Sequence, residues 1–444
     1  MGKGANLVPN ESENVEKNEV KILKWNEIRK NKWIVIDNNV YDVSRFGKKH
    51  PGGETLLKNN VGQDATDAFI SFHKDVKKVE KYLKTLKIGR VVPESDVNQN
   101  EERKDELHKD FQQLRKMAEG MDLFKPSAWF YSLHFLQLIV LDLIGTYLIY
   151  QSGYQNWLTY FIAVACLVTT QAQAGWLQHD LGHLSVFKLT KMNHFAHRVV
   201  IGAIMGFSAD WWNSRHFKHH AKPNAIKKDP DIRFSYFFLL GKILPKEIGK
   251  KKKGWLPYNL QQFYFFFTLP PFLIPILSAA ETAIYLTRRK KFYEMMWIGI
   301  FSIRWYLMFV PMLGIYGTIK LLLLVRFFQS YWFIWSTQMS HLPMEVDYDK
   351  DLSWFRTQLI TTCNVEKSAF NDWVSGHLNF QIEHHLFPTM PRHNLYKIAP
   401  HVKKLCEKYG IEYQCKTMSQ ATFDIYNCLK ESGEIWYEAY NNMG

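Results

Sequence analysis

Cysteine is scarce in this chain: five in 444 residues (Cys166, Cys363, Cys406, Cys415, Cys428), odd in number and without a C-x-x-C pair. That pattern excludes a disulfide framework and a thiolate metal site and points to a reducing compartment. No internal repeat is present, which sets aside solenoid architectures. The opening MGKGANLVPN has no apolar signal core, and Asn6 stands where a myristoylation motif needs Ser or Thr. The N-terminus is therefore expected to stay cytosolic, with the first apolar span as targeting signal. Acidic side chains are also short, 42 Asp and Glu against 56 Lys and Arg, a net charge of +14. Nucleic acid is not the expected partner, because basic residues cluster beside apolar runs, as at Lys250, Lys251, Lys252 and Lys253. Retention on the cytosolic face accounts for them, and the run also suits anionic lipid or a phosphate-bearing acyl carrier.

What the chain has is apolar length. It is 47% hydrophobic and 15% aromatic, rich for a soluble protein. Residues 128–150 (AWFYSLHFLQLIVLDLIGTYLIY) and 155–177 can each cross a hydrocarbon core of about 30 Å, and so can 262–286 and 319–339. A further apolar segment, residues 293–313, carries Arg304. If it crossed along with both neighbours, the C-terminal part would lie on the wrong side, so it is expected to be lumenal, interfacial or re-entrant. In the alternative, 262–286, with Pro270, Pro271 and Pro275, is the re-entrant piece and residues 288–291 (RRKK) lie in the cytosol. Four crossings result either way. Asp142 and Arg326 fall within spans, where an isolated charge is costly. They are expected to pair, or each to snorkel or contact a carbonyl.

The polar stretch 92–110 (VPESDVNQNEERKDELHKD) has no apolar periodicity and reads as a linker. The expected layout is a disordered N-terminus over 1–18, a compact domain over 19–90, a linker and juxtamembrane segment over 91–125, and a membrane domain over 126–444. In the compact part, WIVI (33–36) and VYDV (40–43) flank DNN, a strand-turn-strand pattern. SRFGKKHPGG (44–53) and DATDAFISFH (64–73) follow, placing His50 and His73 in separate short helical stretches. Two neutral imidazoles facing across an apolar cleft can ligate a haem iron from both sides and leave no open position, which suits electron transfer.

The seventeen histidines are unevenly distributed. Eight lie in LQHDLGH (177–183), RHFKHH (215–220) and QIEHH (381–385) or, as His341, between the second and third of these. His179 and His183 are four apart, and His216 stands three and four before His219 and His220. On helices each set shares a face. Imidazole is a good ligand for iron, zinc or copper, and so many nitrogens exceed what a single zinc needs, which points to two metals. His134, His194, His197 and His377 stand apart and read as structural.

The compact segment, with its H-P-G-G, second histidine, Phe69 and Phe72, resembles cytochrome b5. The three clusters H-D-L-G-H, H-F-K-H-H and Q-I-E-H-H resemble the histidine boxes of membrane fatty acid desaturases. The glutamine opening the third box, together with the fused b5 domain, is similar to the front-end desaturases. QAQAGWLQHDLGHLSVF (171–187) and FNDWVSGHLNFQIEHHLFPTMPRHN (370–394) resemble the animal Δ5 and Δ6 fatty acyl-CoA desaturases.

The resemblance implies a small α+β cytochrome b5-like domain fused to an all-α membrane desaturase domain, with four transmembrane helices and a cytosolic histidine-box di-iron site. It implies haem b held by His50 and His73. Two non-haem irons would be held by His179, His183, His216, His219, His220, His384 and His385. His341 takes the place of an additional ligand histidine, and Gln381 stands where stearoyl-CoA desaturases have histidine. The implied reaction inserts a cis double bond into a polyunsaturated fatty acyl-CoA using O2 and NADH-derived electrons. Those electrons would arrive through NADH-cytochrome b5 reductase, at the endoplasmic reticulum bilayer, in a multi-pass protein with both termini cytosolic. Asp180 and Glu383, inside the boxes, are expected either to orient ligand imidazoles or to lie solvated on helix faces. A sphingoid-base desaturase or b5-fused fatty acid hydroxylase is the nearest alternative class. A non-enzymatic membrane electron carrier leaves the three clusters unexplained.

Overall fold

The structure, a computed structural model, describes residues 21–91, 99–233, 237–350 and 352–441. The expected disordered segment 1–18 lies outside them. In the N-terminal domain, β1 (Ile22–Leu23), α1 (Trp25–Asn31), β2 (Ile34–Ile36) and β3 (Asn39–Tyr41) precede three helices, α2 (Glu54–Lys58), α3 (Thr66–Phe72) and α4 (Val76–Leu86), and β4 (Lys87–Val91) closes it. The sheet order is β1-β4-β3-β2, with β2 and β3 antiparallel and β1 parallel to β4. The D-N pair between β2 and β3 turns with both residues at positive φ, 49° and 58°, the geometry that lets a two-residue hairpin follow strand twist. Val35 and Val40 go to one side of the sheet with Leu23 and Ile28; Ile34, Ile36 and Tyr41 go to the other. This is the period-two alternation of the strands.

Much of the stretch read as linker is helical. α5 (Gln99–Gly120) spans 22 residues, and Leu107, Phe111, Leu114 and Ala118 recur at helical spacing along one buried face. That face packs on Phe355 and Phe387, with ring centroids 5.4 and 5.5 Å from Phe111. The stretch quoted as polar stops at Asp110, just where the apolar face gathers density, so a window that ended there concealed the period.

Among the described residues, four segments are long and apolar enough to cross a membrane: α6 (Ala128–Ser152), α7 (Trp157–Gly182), Tyr258–Arg289 and Phe292–Gln338. α6 and α7 form a close hairpin; a Cβ on Gly145 would stand 2.9 Å from Leu167 and 3.1 Å from the Ala163 carbonyl. Small residues permit such an approach where lipid supplies no hydrophobic drive. α8 (Thr190–His197), a π-helical turn Arg198–Ile204, α9 (Ala209–Ala221) and α10 (Ile243–Lys250) follow.

The third segment comprises α11 (Gln261–Phe272), a π-helical turn Leu273–Ser278 and α12 (Ala279–Arg289). Both of its ends lie on the side that carries α9. Gln261 bonds the carbonyls of Leu239 and Leu429, while Glu281 meets Arg215 of α9 at 2.6 Å. α13 (Phe292–Gln338) departs from helical geometry at Gly314, φ 66° and ψ 171°. Phe301, Trp305 and Phe309 before it pack with Leu321 and Val325 after it, so the two halves run antiparallel. Glu294 at the start of α13 is tied to Arg198 at 2.8 Å, whereas Gly317 lies against Tyr154 of the α6–α7 loop. Of the two expected arrangements these contacts favour the alternative: residues 292–313 run from the α9 side to the α6–α7 loop, and both ends of 262–286 stay on the α9 side. Pro270, Pro271 and the π-helical turn Leu273–Ser278 interrupt the regular hydrogen-bond ladder of this segment. The charge in the other segment is neutralised by pairing, Arg304 to Asp142 at 2.6 Å.

Of the options expected for Asp142 and Arg326, the mutual pair does not form: Asp142 takes Arg304, and Arg326 contacts a carbonyl. Arg326 bonds Gln171 at 2.9 Å and Gln329 at 2.7 Å, and also the Met205 carbonyl. Its ring neighbours are Phe207 and Phe301. The remaining chain, α14 (Trp354–Thr361), β5 (Asn364–Val365), α15 (Ala369–Val374), α16 (Gln381–Leu386), α17 (Leu395–Tyr409), β6 (Cys415–Lys416) and α18 (Met418–Asn441), forms a cap over the α7 and α9 ends. β5 pairs with β6 in parallel.

Candidate active site

In the N-terminal domain His50 follows a short 3-10 turn and His73 ends α3. Their ring centroids are 6.2 Å apart. His73 Nδ1 donates to the Phe69 carbonyl at 2.7 Å, which leaves Nε2 as its free nitrogen. The spacing admits one metal ion with bonds of about 2 Å on each side. The glycines of H-P-G-G have local reasons: a Cβ on Gly52 would press on His50 Cε1 at 2.9 Å, and Gly53 has φ 92°. Burial, with His73 adding to it, pushes His50 down to about 4, so the imidazole is neutral and able to ligate.

The three boxes meet in two groups. His179 and His183 from the end of α7, His216 and His220 from α9 and His384 from α16 form one; His219, His341 and His385 form the other. The second box therefore straddles both, because residues three and four apart on a helix share a broad face whose edges point differently. In the first group His183 and His216 Nε2 are 2.9 Å apart, and His220 Nε2 is 3.0 Å from both His216 and His384. Neutral imidazoles gain little from crowding lone pairs, but edges of about 3 Å are those of a metal's coordination shell with bonds near 2 Å. The groups adjoin where His220 stacks on His385 at 4.1 Å. Burial holds His183, His216, His220, His384 and His385 well below the ordinary imidazole range, the protonation state a metal requires.

Further residues orient the rings. His219 Nδ1 donates to Asp229 at 2.9 Å, His385 Nδ1 to Gln358 at 2.9 Å, and His341 Nδ1 to the Thr361 carbonyl at 3.2 Å. Each leaves Nε2 turned inward, and His385 Nε2 is a buried atom with no hydrogen-bond partner. At His219 burial opposes protonation, but Asp229 outweighs it and raises the imidazole. Gln381 sits beside His341, its amide 2.8 Å from Nε2. Asp229, Gln358 and Thr361 were missed in the sequence; the D-x-D pair Asp229 and Asp231 just after the second box was the available signal.

The two box carboxylates diverge. Asp180 lies 3.7 Å from His179 Nδ1, accepts from the Tyr131 hydroxyl at 3.0 Å and forms an ion pair with Arg392 at 3.1 Å. Glu383 faces away from the imidazoles and is neither solvated nor orienting: Asn364 donates to it at 2.7 Å and Tyr413 at 2.8 Å. Burial raises it to about 7. His134, His194, His197 and His377 stand outside both groups; His197 bonds Gln178 at 2.9 Å.

A cavity of about 790 Å³ reaches both groups, touching His179 and His216 of one, His219 and His341 of the other, and Gln381. Its walls include Trp176, Phe207, Trp212, Phe238, Ile274 and Phe333, and its charged lining Arg215, Asp231, Arg233 and Glu281. Such a space suits an apolar chain with a polar head.

A buried histidine cluster at an apolar cavity, with a facing histidine pair packed beside it and helices long enough to cross a membrane, fits a metal-dependent enzyme of the membrane. The family model described as "Fatty acid desaturase" matches residues 155–417, and that described as "Cytochrome b5-like Heme/Steroid binding domain" matches residues 18–92. The first match spans more than half of the chain, which belongs to the fatty acid desaturase family and carries a cytochrome b5-like domain as its electron donor. The b5-like domain implies haem and the desaturase family implies iron.

Proposed function

We propose that this chain is a front-end desaturase of the Δ5/Δ6 type. It takes polyunsaturated fatty acyl-CoA as substrate, with NADH-cytochrome b5 reductase as electron source, in the endoplasmic reticulum membrane with both termini cytosolic. The observation that carries the reading is the apolar cavity opening onto both histidine groups, with Gln381 set against His341 at its wall. His179, His183, His216, His220 and His384 would hold one iron; His219, His341 and His385, with Gln381 beside them, would hold the other. His50 and His73 would hold haem b.

When bound, the irons supply oxygen activation and the removal of two hydrogens from adjacent methylenes. The chain's own residues do the rest. Trp176, Phe207, Phe238 and Phe333 exclude water and hold the acyl chain straight past the histidines, so that position along the chain decides which methylenes react. Asp229, Gln358 and the Thr361 carbonyl hold the Nδ1–H of their rings and so aim each Nε2 inward. Arg233 offers positive charge to an anionic head group at the cavity's lining, where Arg215 is already paired with Asp231 and Glu281.

The test is expression in a host that makes no polyunsaturated acids, feeding of acids with existing double bonds at different positions, and gas chromatography of the lipids. A new cis double bond between the carboxyl group and an existing one is expected. Hydroxylated acids or desaturated sphingoid bases instead would assign the chain to the other classes.

A further inference from the structure

The b5-like domain is packed against the histidine cluster by residues on both sides of its haem-binding His73. Lys74 Nζ donates to the carbonyls of Leu184 and Phe187, at 2.8 and 2.9 Å, in the loop just beyond His183. Ser71 Oγ lies 3.5 Å from the Leu386 carbonyl, just beyond His385. Between them Phe72 extends its ring among Trp354 (5.7 Å), Phe217 (5.9 Å) and His220 (6.4 Å). A second set of bonds secures the arrangement: Asp349 meets Lys222 at 3.1 Å and Lys228 at 2.6 Å, Gln63 donates to Asp349 at 3.0 Å, and Lys228 reaches the Asn59 carbonyl at 2.9 Å. The His73 backbone is thus one residue from a side chain that touches a metal-binding histidine.

We propose that Phe72 is the contact through which electrons leave the b5-like domain for the histidine cluster. The inference rests on the reading of the cluster as an iron site and adds the route by which it is reduced. Each passage oxidises one ferrous haem to ferric and reduces one ferric iron of the cluster to ferrous. NADH through its reductase restores the haem, and Phe72 itself is neither oxidised nor reduced. Its role is a continuous covalent and van der Waals path from His73 to His220, in place of a gap. Trp354 and Phe217 hold the ring edge-on against that histidine.

The test uses the full-length, haem- and iron-loaded protein in lipid nanodiscs, as wild type, Phe72→Leu and Phe72→Tyr. Four quantities are measured: haem midpoint potential, anaerobic haem reduction by NADH and reductase, haem reoxidation on mixing with oxygen and acyl substrate, and amide exchange of residues 71–74. The Leu variant is expected to keep its potential, its reduction rate and its amide protection. Its reoxidation should slow by about tenfold or more, while the Tyr variant stays near wild type. Reoxidation of Phe72→Leu within about twofold of wild type would overturn the proposal. So would a slowing that tracks lost amide protection, since Phe72 would then only hold the domains together. A wild type that does not reoxidise its haem faster with substrate would instead remove the underlying desaturase reading and the route with it.

Discussion

Glycine 182 shows why a box residue without a ligand atom matters. A Cβ there would stand 2.2 Å from Cζ3 of Trp212, whose ring is stacked on His216 at 4.2 Å. Gly182→Ala must push the indole, and with it His216, at a cost of about 1–3 kcal/mol. Lower iron per purified chain is expected, with haem absorbance unchanged. Full iron content would mean that Trp212 can yield without moving His216. The glutamine of the third box is tested by the same measurement. An amide oxygen is a harder, weaker donor than imidazole, so His384→Ala should abolish iron binding and turnover, while Gln381→Ala should lower turnover. Iron loss in Gln381→Ala marks a ligand, and retention marks a partner of His341. Full iron and full activity in that variant would leave the glutamine with no part in the chemistry.

At the scale of elements, the return of α11–α12 and the crossing of residues 292–313 are decided by polar groups. Arg304 is only partly shielded, but Asp142 on α6 receives it at 2.6 Å, and a paired charge tolerates lipid depth that an isolated one does not. A double-mutant cycle of Asp142→Asn and Arg304→Gln, read by thermal stability in detergent, is expected to give a coupling of about 0.5–3 kcal/mol. Additivity would show that each charge finds its own solvation and that something else holds this helix in place. The corresponding cycle between Asp142 and Arg326 should be additive, since Arg326 is satisfied by Gln171, Gln329 and the Met205 carbonyl.

The molecule as a whole joins two redox pockets that are built separately. The His50–His73 pair depends on α3 and the H-P-G-G turn, and the histidine groups on α7, α9, α16 and the end of α13. His50→Ala should therefore remove the reduced haem bands and most NADH-driven turnover, while leaving the iron content of the membrane domain unchanged. Retained bands in that variant would refute the assignment of His50, and parallel loss of iron would show that the pockets fold as one unit.

Spacing along the chain marked the histidines of the three boxes, because residues three or four apart share a helix face, whereas His50 and His73 were marked by the H-P-G-G motif and its second histidine, and His341 by its place in the family resemblance. Composition likewise announced the membrane segments. The division of the second box between two groups was not legible, since it depends on which neighbouring helix each edge of α9 meets. Nor were the partners Asp229, Gln358 and Thr361, or the pairing of Asp142 with Arg304, which join residues as many as 162 positions apart. Hydropathy counts apolar residues but does not say which segment turns back; Gly314 and the contacts of Glu281 and Glu294 decided that. A local pattern records what each element can do, whereas the choice of partner is set by packing that minimises unpaired charge and unfilled space across the whole chain.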